Sequence, residues 1–231
     1  PIWIPRRELR KYIAAHACDY DLVGNHGMFN PFLPLTVWYL RRAGARYLLC
    51  LHGAYHPALL RRNRLRKTLY WPLESFDVRH AAAIQVPTTN DVGFLRALGI
   101  QKPVIIVPNG FEPKDVPEKP RRPEPSETMR LLFLGRIEKY VKGLDLLLGA
   151  LEKVLRRGRN VILDFVGPDW GDQAALQHLV NDLGLSAAVR FLGADYQRPA
   201  HEILSPYDLL VLPSRTEGFG FVVLEAMLNA T

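Results

Sequence analysis

Through the second half of the chain, short apolar runs alternate with segments of helical period. Residues 130–134 read as a buried strand. Residues 143–156 read as a helix, with leucines at 144, 147, 148, 151 and 155 falling on one face. Val161–Val166 is the next strand, followed by a helix over about 172–183 and a strand at 189–192. A short helix near Ala200–Leu204, a strand at 209–212 and a helix from about Phe219 complete the series. Continuous apolar strands separated by helices predict a parallel sheet covered by helices on both faces.

The first half is less regular. Leu22-Val23 and residues 47–51 read as short strands, each ending at a His-Gly pair, His26-Gly27 and His52-Gly53. Residues 82–86 and 104–107 give two more strands, the second closing in the turn Pro108-Asn109-Gly110. Residues 57–76 predict a long basic helix with a break at Pro72. Between the halves, residues 113–125 carry five prolines mixed with charge, which suits neither a helix interior nor a central strand. The expected organisation is α/β: a partial first domain over 1–112, a proline-rich linker over 113–128 and a partial second domain over 129–231, the two facing each other across a hinge.

At 231 residues, with 48% apolar and 23% charged residues, the chain can bury a core, which excludes disordered, collagen-like and disulfide-scaffold classes. Two cysteines, Cys18 and Cys50, are too few for a disulfide framework and suit a reducing, cytoplasmic setting. No apolar stretch reaches the ~18 residues needed to cross a bilayer. The chain opens Pro-Ile-Trp-Ile, with no initiator Met and no signal pattern, which reads as the inside of a longer protein. Charge changes the picture further. Residues 1–115 hold 16 basic and 8 acidic residues, a net of +8, whereas residues 116–231 hold 14 and 15, a net of −1. Five of the basic residues, Arg61, Arg62, Arg64, Arg66 and Lys67, fall within seven positions. Such a cluster is either a solvated helix face or a contact for an anionic membrane or acidic glycan. With no zinc-ligand array, aromatic RNA-binding motif or recognition helix beside it, nucleic acid is not an expected partner.

Ligands of open parallel sheets bind at the carboxyl ends of strands. Two such ends carry chemistry. After the strand at 130–134 come Gly135-Arg136, and Lys142-Gly143 stand just before a helix: two fixed cations beside a helix N-terminus suit a pyrophosphate. After the strand at 209–212 come Glu217-Gly218-Phe219-Gly220 and, inside the next helix, Glu225. There, glycines admit close backbone approach and carboxylates can accept from vicinal hydroxyls. A Walker-type phosphate loop is absent. His52-x3-His56 lacks a third metal ligand, Asp19-Tyr20-Asp21 precedes a strand instead of following one, and no metal site is expected.

Glu217-x7-Glu225, the Gly218-Phe219-Gly220 loop and Gly135-Arg136-x5-Lys142-Gly143-Leu144 together resemble the group 1 (family 4) retaining glycosyltransferases of the two-Rossmann-domain GT-B type. Leu51-His52-Gly53 and Val107-Pro108-Asn109-Gly110 match the acceptor half of that family. The resemblance implies transfer of a sugar, of hexosyl type, from a nucleotide-diphosphate sugar to a glycan, lipid-linked or small-molecule acceptor. Anomeric configuration would be retained, with no metal or further cofactor. It implies that Arg136 and Lys142, with the amides of Gly218, Phe219 and Gly220, hold the donor diphosphate, that Glu225 binds the ribose, and that Glu217 and His52 act at the sugar. It also implies that this segment alone is inactive. A sugar-nucleotide epimerase of the same architecture and a basic binding module are the competing readings.

Overall fold

The computed structural model describes residues 7–30, 32–61, 63–111 and 126–231. The chain divides into two compact units, Pro1–Asn109 and Gly110–Thr231. The proline-rich stretch expected as a linker lies, up to residue 125, outside the described residues.

The first unit is built on four parallel strands in the order β1-β2-β3-β4: β1 Val23–His26, β2 Tyr47–Cys50, β3 Ala83–Val86 and β4 Val104–Ile106. The strands are short because each needs only enough β-branched and leucine positions to cross one core; Leu49, Ile84 and Val86 are buried. The helices are α1 Arg7–His16, α2 Phe32–Arg42, α3 Pro57–Arg61, α4 Arg64–His80 and α5 Thr89–Ala97. Val37 and Leu40 of α2, Val78 of α4 and Leu95 of α5 close over this core.

The expected break at Pro72 does not occur. Helix α4 runs through Pro72, and the chain turns instead at Asn63, whose left-handed φ of 55° ends one helix path and starts the next. The proline is tolerated because both it and Thr68, the residue whose carbonyl loses its amide partner, are exposed, so water can take over the missing bond.

The second unit holds β5 Met129–Leu134, β6 Val161–Val166, β7 Val189–Gly193 and β8 Leu209–Leu210, all parallel, in the order β7-β6-β5-β8. Its helices are α6 Leu144–Arg156, α7 Gln173–Asp182, α8 Ala200–Leu204 and α9 Phe221–Asn229. Leu144, Leu147, Leu148 and Leu151 of α6 sit at the spacing of one helix face and are buried against Phe133, Leu163 and Phe165 of the sheet. Inside this unit Asp164 of β6 is paired at 2.6 Å through both carboxylate oxygens with Arg190 of β7 and accepts from the Tyr207 hydroxyl at 2.8 Å, so a buried charge is fully satisfied. From β5 the chain first builds outward through β6 and β7. It then returns to place β8 on the other side of β5. That reversal makes the carboxyl ends of β5 and β8 a topological switch point, and open parallel sheets place their ligands in the crevice outside such a point.

Candidate functional site

Both chemistry-bearing segments of the second unit leave the sheet at this reversal. Gly135 and Arg136 follow β5, and the segment 213–220 follows β8 and leads into α9. Four contacts lock the segments together. Gly143, at φ 66°, precedes α6, and a Cβ placed on it would lie 2.1 Å from the Pro213 carbonyl oxygen; only glycine allows this approach. The Arg215 amide donates to the Val141 carbonyl at 2.9 Å. The Arg215 guanidinium donates to the Tyr140 carbonyl at 3.0 Å and grips Asp145 of α6 through both carboxylate oxygens at 2.7 and 2.8 Å. That fork holds the Asp145 carboxyl below the usual carboxylate range.

The result is an ion pair between residues 75 positions apart. Lys142 Nζ meets Glu217 Oε2 at 2.6 Å, and the Ser214 hydroxyl donates to the same oxygen at 3.0 Å. The Lys142 side chain is buried and that of Glu217 is one-third exposed, so the pair is reached by solvent from the Glu217 side. The sequence reading gave the two residues separate roles and did not foresee that they touch. An ammonium has three donors, and Glu217 occupies one of them.

Arg136 is placed differently. Its guanidinium lies over the Trp170 ring, 4.2 Å from the centroid, and 3.7 Å from Glu138, with the side chain still 43% exposed. Trp170 comes from the loop after β6, where Asp169 caps the turn by accepting from the amides of Gly171, Asp172 and Gln173. The ring therefore pre-orients Arg136 without neutralising it. Gly220, with φ 71°, opens α9, and the Phe219 and Phe221 rings pack edge to face at 5.4 Å. Glu225 is half-buried on α9, and burial pushes its carboxyl above the usual range. Arg136, Lys142, Glu217, Gly218, Phe219, Gly220 and Glu225 thus belong to the loops that follow the carboxyl ends of β5 and β8 and to the helix α9 that continues from one of them.

His52 belongs to the first unit, at the end of β2, with a left-handed φ of 46°. Its Nε2 lies 2.8 Å from Nδ1 of His26, at the end of the neighbouring strand, and the two rings stack with centroids 5.1 Å apart. One nitrogen donates and the other accepts. The sequence located both histidines at strand ends; their pairing follows from the register, which sets His26 beside Cys50. Among the described residues no cluster of three or more His, Cys, Asp or Glu forms a metal-binding group.

Sequence reasoning missed Arg215, Asp145 and Trp170. Arg215 lies two residues before Glu217, and nothing in the local pattern signals a partner on α6.

The family profile described as "Glycosyl transferases group 1" matches residues 115–231, and the one described as "Glycosyl transferase 4-like domain" matches residues 3–110. Among curated relatives, a D-inositol 3-phosphate glycosyltransferase of Corynebacterium diphtheriae is 34% identical over 115 residues, covering 46% of this chain and 26% of the relative. A phosphatidyl-myo-inositol mannosyltransferase of Mycolicibacterium smegmatis is 32% identical over 139 residues, covering 59% of this chain and 34% of the relative. The matched stretches therefore span about a quarter to a third of those proteins. Two solved structures share the fold. Anabaena HepE in complex with UDP and glucose superposes with a TM-score of 0.72 at 20% identity, covering 97% of this chain and 61% of that one. Sucrose-phosphate synthase from Thermosynechococcus elongatus gives 0.73 at 21% identity, covering 99% and 61%. The α/β architecture with two parallel sheets is thus of the GT-B type. Because one family profile takes in the whole crevice and the fold of both units agrees with it, the chain belongs to the group 1 glycosyl transferases.

Proposed function

We propose that the chain carries the donor unit and the acceptor-side unit of a retaining, metal-independent glycosyltransferase that uses a nucleotide-diphosphate sugar of hexosyl type. The observation that carries this reading is the Lys142–Glu217 pair at 2.6 Å, which joins the segments that follow β5 and β8 where the second sheet reverses its order, with Arg136 on the same segment as Lys142. Breaking the anomeric bond builds positive charge on the sugar and negative charge on the diphosphate. Cations already fixed at the leaving group stabilise that separation at little cost of reorganisation. Arg136, held over the Trp170 ring, and Lys142, with two donors beyond the one given to Glu217, supply that charge. In this reading they do the work a divalent metal does elsewhere. As the diphosphate engages Lys142, Glu217 turns from the ammonium toward the sugar hydroxyls. Glu225 takes the ribose hydroxyls, and the Gly218-Phe219-Gly220 amides approach the phosphate. The incoming hydroxyl arrives on the face the diphosphate leaves, so the configuration is kept. His52, tied to His26, serves the acceptor side, a glycan or lipid-linked alcohol.

Two free cysteines and the use of an activated nucleotide sugar suit a cytoplasmic setting. The epimerase alternative is not taken up, since both family descriptions are those of transferases. The test is incubation of the protein with a panel of labelled nucleotide sugars and lipid or glycan acceptors, followed by proton NMR of the product. The reading expects release of nucleoside diphosphate and a product with the donor's anomeric configuration. An inverted product would overturn retention, and full activity with a chelator-sensitive metal requirement would overturn metal independence.

A further inference from the structure

The loop that leaves β6 is closed without the help of its aromatic side chain. Gly167, at φ 149°, passes so near the segment after β5 that a Cβ on it would stand 1.9 Å from the Gly135 carbonyl oxygen. The Gly135 amide donates to the Val166 carbonyl at 2.9 Å, and the Ile137 amide to the Pro168 carbonyl at 2.8 Å. In return the Trp170 amide donates to the Ile137 carbonyl at 3.2 Å. A further rung, from the Lys139 amide to the Asp172 carboxylate at 2.8 Å, carries this ladder to the start of α7. Asp169 finishes the turn through its three amide donors, and those bonds hold its carboxyl below the usual range. The backbones of Arg136 and Trp170 are therefore fixed against each other before either side chain is considered.

The Trp170 indole takes no part in these bonds. It is 59% exposed, so folding gains little from it, and among the described residues its stacking partner is the Arg136 guanidinium. The chemistry of that partner matters. A carboxylate in the same place would steady the guanidinium by taking two of its donors and cancelling its charge. Glu138 does not do so, because its Oε2 stands 3.7 Å from Arg136 Nη2, too far for a hydrogen bond. An indole attracts the cation through its face and accepts none of its five N–H donors in exchange. A free arginine gives up rotamer freedom when it meets a ligand, and the stack removes part of that freedom beforehand.

The geometry points to Trp170 as the positioning residue of the diphosphate site: its ring holds Arg136 in place so that a nucleoside diphosphate meets an arginine already ordered. This rests on the reading that Arg136 serves the donor diphosphate, and it adds a residue from a different loop. Trp170 acts through the arginine and not on the ligand, so its whole effect on binding depends on Arg136 being present.

The experiment is titration calorimetry with uridine, guanosine and adenosine diphosphates. It compares the wild-type protein with Trp170→Leu, Trp170→Tyr, Arg136→Ala and the double variant of Arg136→Ala with Trp170→Leu, each checked for an unchanged melting curve. The ring is exposed and the loop is closed by other bonds, so these variants are expected to fold. Should Trp170→Leu melt early, Trp170→Gln repeats the same comparison. For the nucleotide that binds, Trp170→Leu should weaken affinity about three- to tenfold, the range of a partly exposed cation–π contact. Trp170→Tyr keeps a ring face and should stay within about twofold of wild type. With Arg136 gone the ring has nothing to position, so adding Trp170→Leu to Arg136→Ala should change affinity by less than about twofold. A ring that only shaped the loop would lower affinity equally in both backgrounds, so additive losses overturn the proposal. A tyrosine variant as weak as the leucine variant overturns it as well. Wild-type affinity in Trp170→Leu while Arg136→Ala is weakened also overturns it and leaves the donor reading standing. Wild-type affinity in Arg136→Ala, or no binding by the wild-type protein, removes the donor reading and the proposal together.

Discussion

Asp77 of α4 is fully buried, and neither of its carboxylate oxygens has a hydrogen-bond partner. Glu74, one turn away and also fully buried, accepts from the Phe29 amide at 3.1 Å and from the Tyr55 hydroxyl at 3.4 Å. Burial, with Glu74 adding repulsion, pushes the Asp77 carboxyl from 3.8 up to about 7. Burial likewise pushes Glu74 to about 7, against the lowering effect of its two donors. The same carboxylates, after burial itself, help push the nearby Tyr70 hydroxyl to about 12. In the unfolded chain Asp77 would release its proton near its ordinary value, so between that value and about pH 7 the folded state binds more protons. Stability contributed by the neutral acid is therefore complete below about pH 4 and is lost as pH rises through about 7. At ~1.4 kcal/mol for each tenfold in proton activity, the Asp77 part amounts to ~4 kcal/mol at most. Asp77→Asn keeps the shape and removes the titration. Urea unfolding of the first unit, followed by tryptophan fluorescence from pH 4.5 to 8, should show the wild-type losing stability with rising pH. The variant should lose less, so that it becomes the more stable of the two by pH 8. A difference between the two proteins that stays constant across this range, or a wild-type whose stability rises with pH, would refute the reasoning.

Other outcomes follow from the second unit. Gly143→Ala forces a side chain into a left-handed backbone and against the Pro213 carbonyl, so it should cost about 2–4 kcal/mol by thermal melting and also weaken nucleotide binding, since Lys142 moves with it. Glu225→Gln should weaken donor and free nucleoside diphosphate alike, by about 1.5–3 kcal/mol in calorimetry. Glu217→Gln should leave nucleoside diphosphate affinity nearly intact, or raise it by releasing Lys142, while lowering kcat. Equal loss of product affinity in both glutamate variants would sink that division of labour. Asp164→Asn, which strips Arg190 of its bidentate partner, should destabilise the second unit by about 2–4 kcal/mol without changing nucleotide affinity once folded, as equilibrium unfolding and calorimetry would show.

Much of the second unit was legible because its helices bury a single regular stripe and its strands are apolar throughout. The predicted strand over Val161–Val166 and the helix over Ala200–Leu204 coincide with β6 and α8, and α6 begins one residue after its expected start. In the first unit α1, α2 and α5 were not anticipated. Helix α5 does announce itself locally, since Thr88 caps it through the Asp91 amide, but it carries few buried leucines. Helix α2 contains Pro34, which its first turn tolerates and which reads as a stop from sequence alone. The strand-end chemistry was legible as residue types at each loop. What could not be read was which loops meet, because the Lys142–Glu217 contact depends on β8 returning to the side of β5, a fact of long-range pairing and not of local pattern. For the same reason the exposure of Leu65, Leu69 and Leu73 in α4 was invisible: a leucine at helical spacing signals a buried face until the neighbouring acids are seen to occupy that face instead.

The claim on which the functional account rests is that the crevice at β5 and β8 holds the donor's nucleoside diphosphate. Titration calorimetry of the protein with uridine, guanosine and adenosine diphosphates, repeated for Arg136→Ala, addresses it directly. The account predicts that one of the three binds and that Arg136→Ala weakens that binding by about 1.5–3 kcal/mol, as for loss of a charged hydrogen bond. Unchanged affinity in Arg136→Ala, or no binding of any of the three by the wild-type protein, would contradict it.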